Sequence, residues 1–144
     1  MTMEISRSTI KDIDEIFRLY EYAIDYQKNK PSKVWPIFSR NLIEKEINQG
    51  NQWKLMIDKK IACIWTTAFN DPKIWGIKDQ DPSVYIHRIT TSPNFRGRNL
   101  VKEIVKWAIH YASYNNKEFI RMDTVGNNLK LIDHYKKCGF NFLG

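Results

Sequence analysis

The sequence predicts an α/β fold, a mixed sheet covered by helices on both faces. Apolar residues recur with helical spacing in some stretches and with strand character in others, in the order β-α-α-β-β-β-α-β-α-β. Three consecutive strands imply antiparallel pairing, since a short turn reverses the chain. The later alternation of helix and strand implies right-handed crossovers and a parallel pair. No repeat or linker divides the 144 residues, so a single domain over residues 1–144 is expected.

The elements follow in order. Met3–Arg7 reads as a strand. Thr9 is an N-cap with Asp12 in the first turn, and Ile13, Ile16, Phe17, Tyr20 and Ile24 carry the apolar stripe of a first helix that stops before Pro31. A second helix spans Pro36–Gln49, with Phe38, Leu42, Ile43 and Ile47 inward and Gly50 as its stop. Gln52–Ile57 and Ile61–Ala68 are strands joined by the turn Asp58-Lys59-Lys60. An irregular stretch rich in Asp and Trp follows, of the kind that borders sites. Ser83–Thr91 is the next strand. A third helix runs from about Gly97 to Ser113 on the stripe Val101, Ile104, Val105, Ala108, Ile109 and Ala112. Glu118–Asp123 is a strand, Asn128–Lys137 a fourth helix, and Phe140–Leu143 a last strand.

Hydrophobic residues make up 42% and aromatic residues 13%, enough for a filled core. The net charge of +7 favours anionic partners such as a phosphorylated cofactor, an acidic surface or nucleic acid. The Lys and Arg residues are scattered, and no nucleic-acid motif is present, so specific nucleic-acid binding ranks last. Cys63 and Cys138 stand far apart, and His87, His110 and His134 lack ligand spacing, so no metal is expected. No signal peptide or membrane-length apolar span is visible, and the cytoplasm is the default compartment.

One stretch carries chemistry by itself. From Tyr85 a β-branched run ends at Thr90, Thr91 and Ser92, Pro93 stops it, and the turn Arg96-Gly97-Arg98-Asn99 leads into a helix. The first amides of a helix have no internal partner and sit at the positive end of its dipole, so a strand, a glycine turn and a helix start together form an anion-binding device. Arginine is suited to phosphate oxygens. Ordinary surface arginines at a helix start remain an equal reading of these residues alone.

The stretch I-T-T-S-P-N-F-R-G-R-N-L-V, with N-N-L-K-L-I-D-H-Y-K-K-C-G-F further on, resembles the GNAT superfamily of N-acetyltransferases. The likeness is close in the second half of the chain and is one of element order in the first. Asn128, Tyr135 and Gly139-Phe140 match the family's second motif in spacing and type. At the pyrophosphate turn Arg96 matches, whereas Asn99 and Val101 occupy positions where the family carries small residues.

The resemblance implies a GNAT-like fold that binds acetyl-CoA in a cleft where the fourth and fifth strands splay. The backbone of Ile89, Thr90 and Thr91 would pair with the pantetheine arm. The amides of Arg96, Gly97, Arg98, Asn99, Leu100, Val101 and Lys102 would cradle the pyrophosphate, with charge from Arg96, Arg98 and Lys102. Asn128 would contact the cofactor near the pantetheine. A neutral primary amine, on a small molecule or a peptide, would attack the thioester in a ternary complex. An amide near Thr90 would stabilise the oxyanion, and Tyr135 would protonate the departing thiolate. His87 is the best-placed titratable group for the base, against a structural histidine or a water chain. Acceptor candidates are Tyr22, Tyr26, Trp35, Phe38 and Trp75, with Asp71, Asp79 and Asp81 to attract a cation. Family domains carry a seventh strand, which this order lacks, and an exposed last strand would invite a homodimer. The alternative, motivated by Asn99 and Val101, is a GNAT-like acyl-CoA sensor without efficient transfer.

Overall fold

The computed structural model describes residues 3–28, 36–69, 82–98, 100–124, 130–135 and 139–143, with backbone alone for Gln27 and from Met122 onward. Its strands are β1 (Met3–Arg7), β2 (Gln52–Ile57), β3 (Lys60–Ala68), β4 (Ser83–Thr91), β5 (Phe119–Thr124), β6 (Lys130–Tyr135) and β7 (Gly139–Leu143). They form one sheet in sequence order, and every neighbouring pair is antiparallel except the parallel pair β4–β5. The helices among the described residues are α1 (Ile13–Lys28), α2 (Arg40–Asn48) and α3 (Leu100–Tyr114).

The helices take both faces. On β3, Ile64 packs with Ile13, Ile16, Leu19 and Tyr20 of α1 and with Ile43 and Ile47 of α2. Its neighbours Cys63 and Trp65 pack with Leu100, Ile104, Val105 and Ala108 of α3. Side chains alternate across a strand, so α1 and α2 cover one face and α3 the other. Trp53, Trp65 and Trp107 meet on the α3 face with ring centres 4.6 and 5.3 Å apart.

Local chemistry sets the ends of the elements. Asp12 accepts from the Thr9 amide at 2.7 Å and from Lys54 of β2 at 2.8 Å, tying the entry of α1 to the sheet. Burial of Asp12 works against its charge, but the bonds from Lys54 and Thr9 outweigh it and hold the carboxyl below its usual value. Helix α2 begins later than Pro36 predicts, because the Ser39 hydroxyl accepts from the Leu42 amide at 3.2 Å and caps the helix there. Helix α3 likewise starts at Leu100, after a short 3-10 turn at Pro93–Phe95.

One element differs in kind. Lys130–Tyr135, expected inside a helix over Asn128–Lys137, is strand β6, paired with β5 from Thr124↔Lys130 to Phe119↔Tyr135. Among the described residues the sheet therefore has seven strands, where the sequence led to six. The outer edge of β5 would otherwise present unpaired amides and carbonyls. The run Lys130–Tyr135 has the Leu131–Tyr135 spacing of a helix and no strict apolar–polar alternation, and the open ladder of β5 overrides that local pattern.

Candidate active site

The centre of the molecule is the second half of β4. On one side β4 pairs with β3 as far as Cys63↔Thr91. On the other it pairs with β5 only from Ser83↔Phe119 to Ile86↔Met122. From Arg88 to Thr91 that second edge has no partner strand among the described residues, although both strands run on. This is the splay that the resemblance anticipates.

A bulge sits where the pairing ends. Thr66 faces His87 and Ile64 faces Thr90, so β4 spends one extra residue against β3. Arg88 is the residue that absorbs it, with φ at 54°, a region that costs a non-glycine residue about 1–3 kcal/mol. The bulge changes which way side chains point. Val84 and Ile86 pack on the α3 face, as does Ile89. Tyr85 and His87 stack on one another on the opposite face, 6.3 Å apart and 4° from parallel. Arg88 lies on that face too, over Phe38 at 4.8 Å and Tyr20 at 5.6 Å.

Arg88 is ion-paired with Glu46 of α2 through Nη2 and Oε2. Both side chains are well covered, at 15% and 17% exposure. Burial pushes the Glu46 carboxyl up, against the pull of Arg88 and of His87. Burial also pushes the Tyr20 hydroxyl up to about 12, despite the nearby Arg88 charge. Glu46 is the polar residue that sequence reasoning passed over. Its signal was its phase, because it lies three residues after Ile43 and beside Ile47, on the inner stripe of α2. The bulge had a signal as well, for the apolar phase of β4 slips between Ile86 and Ile89.

Beyond Thr91 the chain turns sharply. Ser92 donates its amide to the Ala62 carbonyl at 2.8 Å, and the buried Phe95 ring anchors the turn in the α3-side core. Gly97 has φ of +82°, and a Cβ built on it would meet no atom within 4 Å, so the glycine serves the backbone and leaves open space. Leu100 opens α3 as a buried residue, and Lys102 is exposed. Val101 is partly buried against the α3-side core, so its bulk is directed into packing. The guanidinium of Arg96 lies over Tyr26 at 4.7 Å and that of Arg98 over Phe95 at 4.9 Å.

The structure thus brings His87, Ile89, Thr90 and Thr91 onto one open strand edge, followed by Arg96, Gly97, Arg98, Leu100, Val101 and Lys102 around a helix start. Such an edge suits an elongated ligand with amides at one end and phosphates at the other. Tyr135 is not brought to Thr90. Its backbone lies across from Phe119 and Gly139, at the Ser83 end of β4, roughly 20 Å along the strand from Thr90. Asn99, Asn128, Trp35, Asp71, Trp75, Asp79 and Asp81 lie outside the described residues. Among the described residues there is no group of three or more His, Cys, Asp or Glu that could hold a metal, and no helix long and apolar enough to cross a membrane.

Known proteins give the same answer. The sequence profile of the acetyltransferase (GNAT) family matches residues 19–140. The uncharacterized N-acetyltransferase YesJ of Bacillus subtilis (strain 168) is 31% identical over 142 residues, covering 93% of this chain and 79% of YesJ. A GNAT-family acetyltransferase from Listeria monocytogenes 4b F2365 superposes with a TM-score of 0.74 at 22% identity, over 88% of this chain and 78% of that one. Another from Streptococcus agalactiae 2603 gives 0.71 at 20% identity, over 97% and 92%. The profile spans most of the chain, and YesJ aligns with 93% of it: the chain belongs to the GNAT family of acetyltransferases, enzymes that take their acetyl group from acetyl-CoA.

Proposed function

We propose that this protein transfers an acetyl group from acetyl-CoA to a primary amine, by direct attack in a ternary complex, within a single domain over residues 1–144. The observation that carries this reading is the parting of β4 from β5 beyond Ile86↔Met122, where β4 runs on to Thr91 and into the glycine turn at the start of α3. The acetyl donor supplies an activated thioester. The backbone of Ile89–Thr91 holds the pantetheine arm as a strand would hold its neighbour. The amides from Gly97 to Lys102 take the pyrophosphate, with Arg96, Arg98 and Lys102 adding charge.

The roles in the chemistry follow from position. An amide at Ile89 or Thr90 donates to the acyl oxygen as negative charge grows on it. His87, on the α1/α2 face beside the bulge, accepts the proton that the amine gives up as its nitrogen bonds to the acyl carbon. The carbon–sulfur bond breaks, and the thiolate takes a proton. Its motif points to Tyr135 for that step, but the Tyr135 backbone, level with Ser83 and roughly 20 Å from Thr90, is out of proton-transfer range, so the proton comes from solvent. Asn128 is a candidate cofactor contact on its motif alone. The α1/α2 face, with Tyr22, Tyr26 and Phe38, receives the amine.

Calorimetric titration with CoA and acetyl-CoA tests the donor site, and no binding at millimolar ligand defeats it. A thiol-release assay over a panel of primary amines tests the reaction. Tyr135→Phe should leave both kcat and CoA affinity unchanged; a lowered kcat at unchanged CoA affinity would restore Tyr135 as the acid.

A further inference from the structure

We infer that the buried Glu46–Arg88 pair holds the β4 bulge, and that these two are positioning residues for the amide that receives the acyl oxygen. The inference rests on the donor-site reading above and adds to it the residues that set the site's geometry. An arginine does not choose φ of 54° by local preference. Its side chain must be held from outside. The grip comes from the other layer of the molecule: Glu46 of α2 takes one edge of the guanidinium, and Phe38 and Tyr20 lie against its plane. Ser39 caps α2 and fixes the helix that delivers Glu46.

The bulge is held from within as well. The Thr66 hydroxyl donates to the His87 carbonyl at 3.3 Å, and the Thr90 hydroxyl donates to the Arg88 carbonyl at 3.0 Å. A trans peptide points its N–H opposite to its C=O. Holding the Arg88 carbonyl therefore sets the direction of the Ile89 N–H. Past Ile86↔Met122, no strand among the described residues pairs with β4 on its β5 side. A rigid donor aimed at developing charge is effective because it need not reorganise during the reaction. The α1/α2 layer thus sets the acyl-transfer geometry through one ion pair while touching neither phosphate nor thioester.

The test compares wild type with Glu46→Gln, Arg88→Met and the double variant. CoA and acetyl-CoA are titrated separately by calorimetry, thermal melts report folding, and turnover is measured by thiol release. CoA lacks the acyl oxygen, so the ratio of the two affinities reports on the amide. Wild type is expected to favour acetyl-CoA. The variants should keep their CoA affinity, lose the preference for acetyl-CoA with a matching rise in its KM, and fall in kcat by about a hundredfold, the scale of one lost oxyanion donor. Arg88→Lys, which keeps the charge without the planar fork, should recover only part of the loss. Variants that keep both the preference and kcat overturn the inference and leave the donor site standing. Variants that lose CoA affinity in step with kcat also overturn it, since the pair would then support the site as a whole. A wild type that does not bind CoA defeats the donor-site reading itself.

Discussion

The guanidinium of Arg96, in the turn after β4, lies 4.7 Å from the centre of the Tyr26 ring near the end of α1. A residue of the anion-binding turn thus rests on the helix that borders the acceptor side. Stacking uses the face of the guanidinium and leaves its in-plane N–H donors free for oxygen ligands. Tyr26 is therefore expected to pre-order Arg96 for phosphate. An exposed cation–π contact is worth about 0.5–1 kcal/mol, or roughly a two- to fivefold change in affinity. Tyr26→Ala should weaken CoA binding by about that factor, with Tyr26→Phe close to wild type. Equal CoA affinities for all three proteins in calorimetry would show that the stack does not order Arg96.

Gly97 supplies the next expectation. Its φ of +82° costs an L-residue about 1–2 kcal/mol, whereas the space around a Cβ is open. Gly97→Ala should therefore lower stability by about that amount and without steric disruption. Gly97→Asn should lower it less, because Asn tolerates this region. Chemical denaturation reads the difference. An alanine variant as stable as wild type would mean that the turn relaxes to negative φ.

The sequence was most informative where one force decides. Met3–Arg7, Gln52–Ile57 and Ser83–Thr91 are strands with the expected limits, the second bounded by Asn51 and Asp58 and the third by Pro82 and Pro93. Lys130–Tyr135 shows the opposite case. Its local spacing reads as helix, and the deciding fact, the open edge of β5, belongs to the sheet rather than to the segment. The site divides in the same way. The turn at Gly97 could be read directly, since glycine before a helix is a local signal. Glu46 and Arg88 are 42 positions apart in the chain, and nothing local joins them. Their inward phases were visible, on α2 and in the slipped alternation of β4, but pairing them required the layers to be stacked.

Asp12 and Lys54 make a pH-dependent link between α1 and the sheet. Their side chains are 15% and 16% exposed, and the contact is 2.8 Å. Asp12 is held below its ordinary value of 3.8, so the folded state favours its ionised form. The stabilisation is thus present above the unfolded value of 3.8 and is lost as pH falls through the lower folded value. Asp12→Asn should cost about 1.5–3 kcal/mol at neutral pH, the scale of a charged hydrogen bond. The gap between wild type and variant should shrink as pH drops below the unfolded value. Urea denaturation across an acid series checks this, and a gap that stays constant at low pH would assign the effect to packing instead of charge.

Cys63 offers a probe of the site from behind. It lies on β3 opposite Thr91 and is fully buried, with its thiol 3.7 Å from the Thr91 hydroxyl. Burial pushes the thiol up to about 11, although hydrogen bonding with Thr91, Ile64 and Thr90 works against it. At neutral pH roughly one thiol in ten thousand is then ionised, and even that fraction is out of reach of a reagent. Alkylation of Cys63 should therefore proceed through opening of the central sheet, at a rate set by the open population. A ligand bound only to the folded state lowers that population, by about a hundredfold at a hundred times its Kd. Iodoacetamide labelling followed by peptide mapping should find Cys63 protected in the native protein, labelled in urea, and labelled about a hundredfold more slowly when CoA saturates the site to that degree. Rapid labelling of native Cys63 would contradict the burial. Protection that CoA does not increase, in a protein shown by calorimetry to bind it, would mean that the sheet around Cys63 and Thr91 opens independently of the ligand.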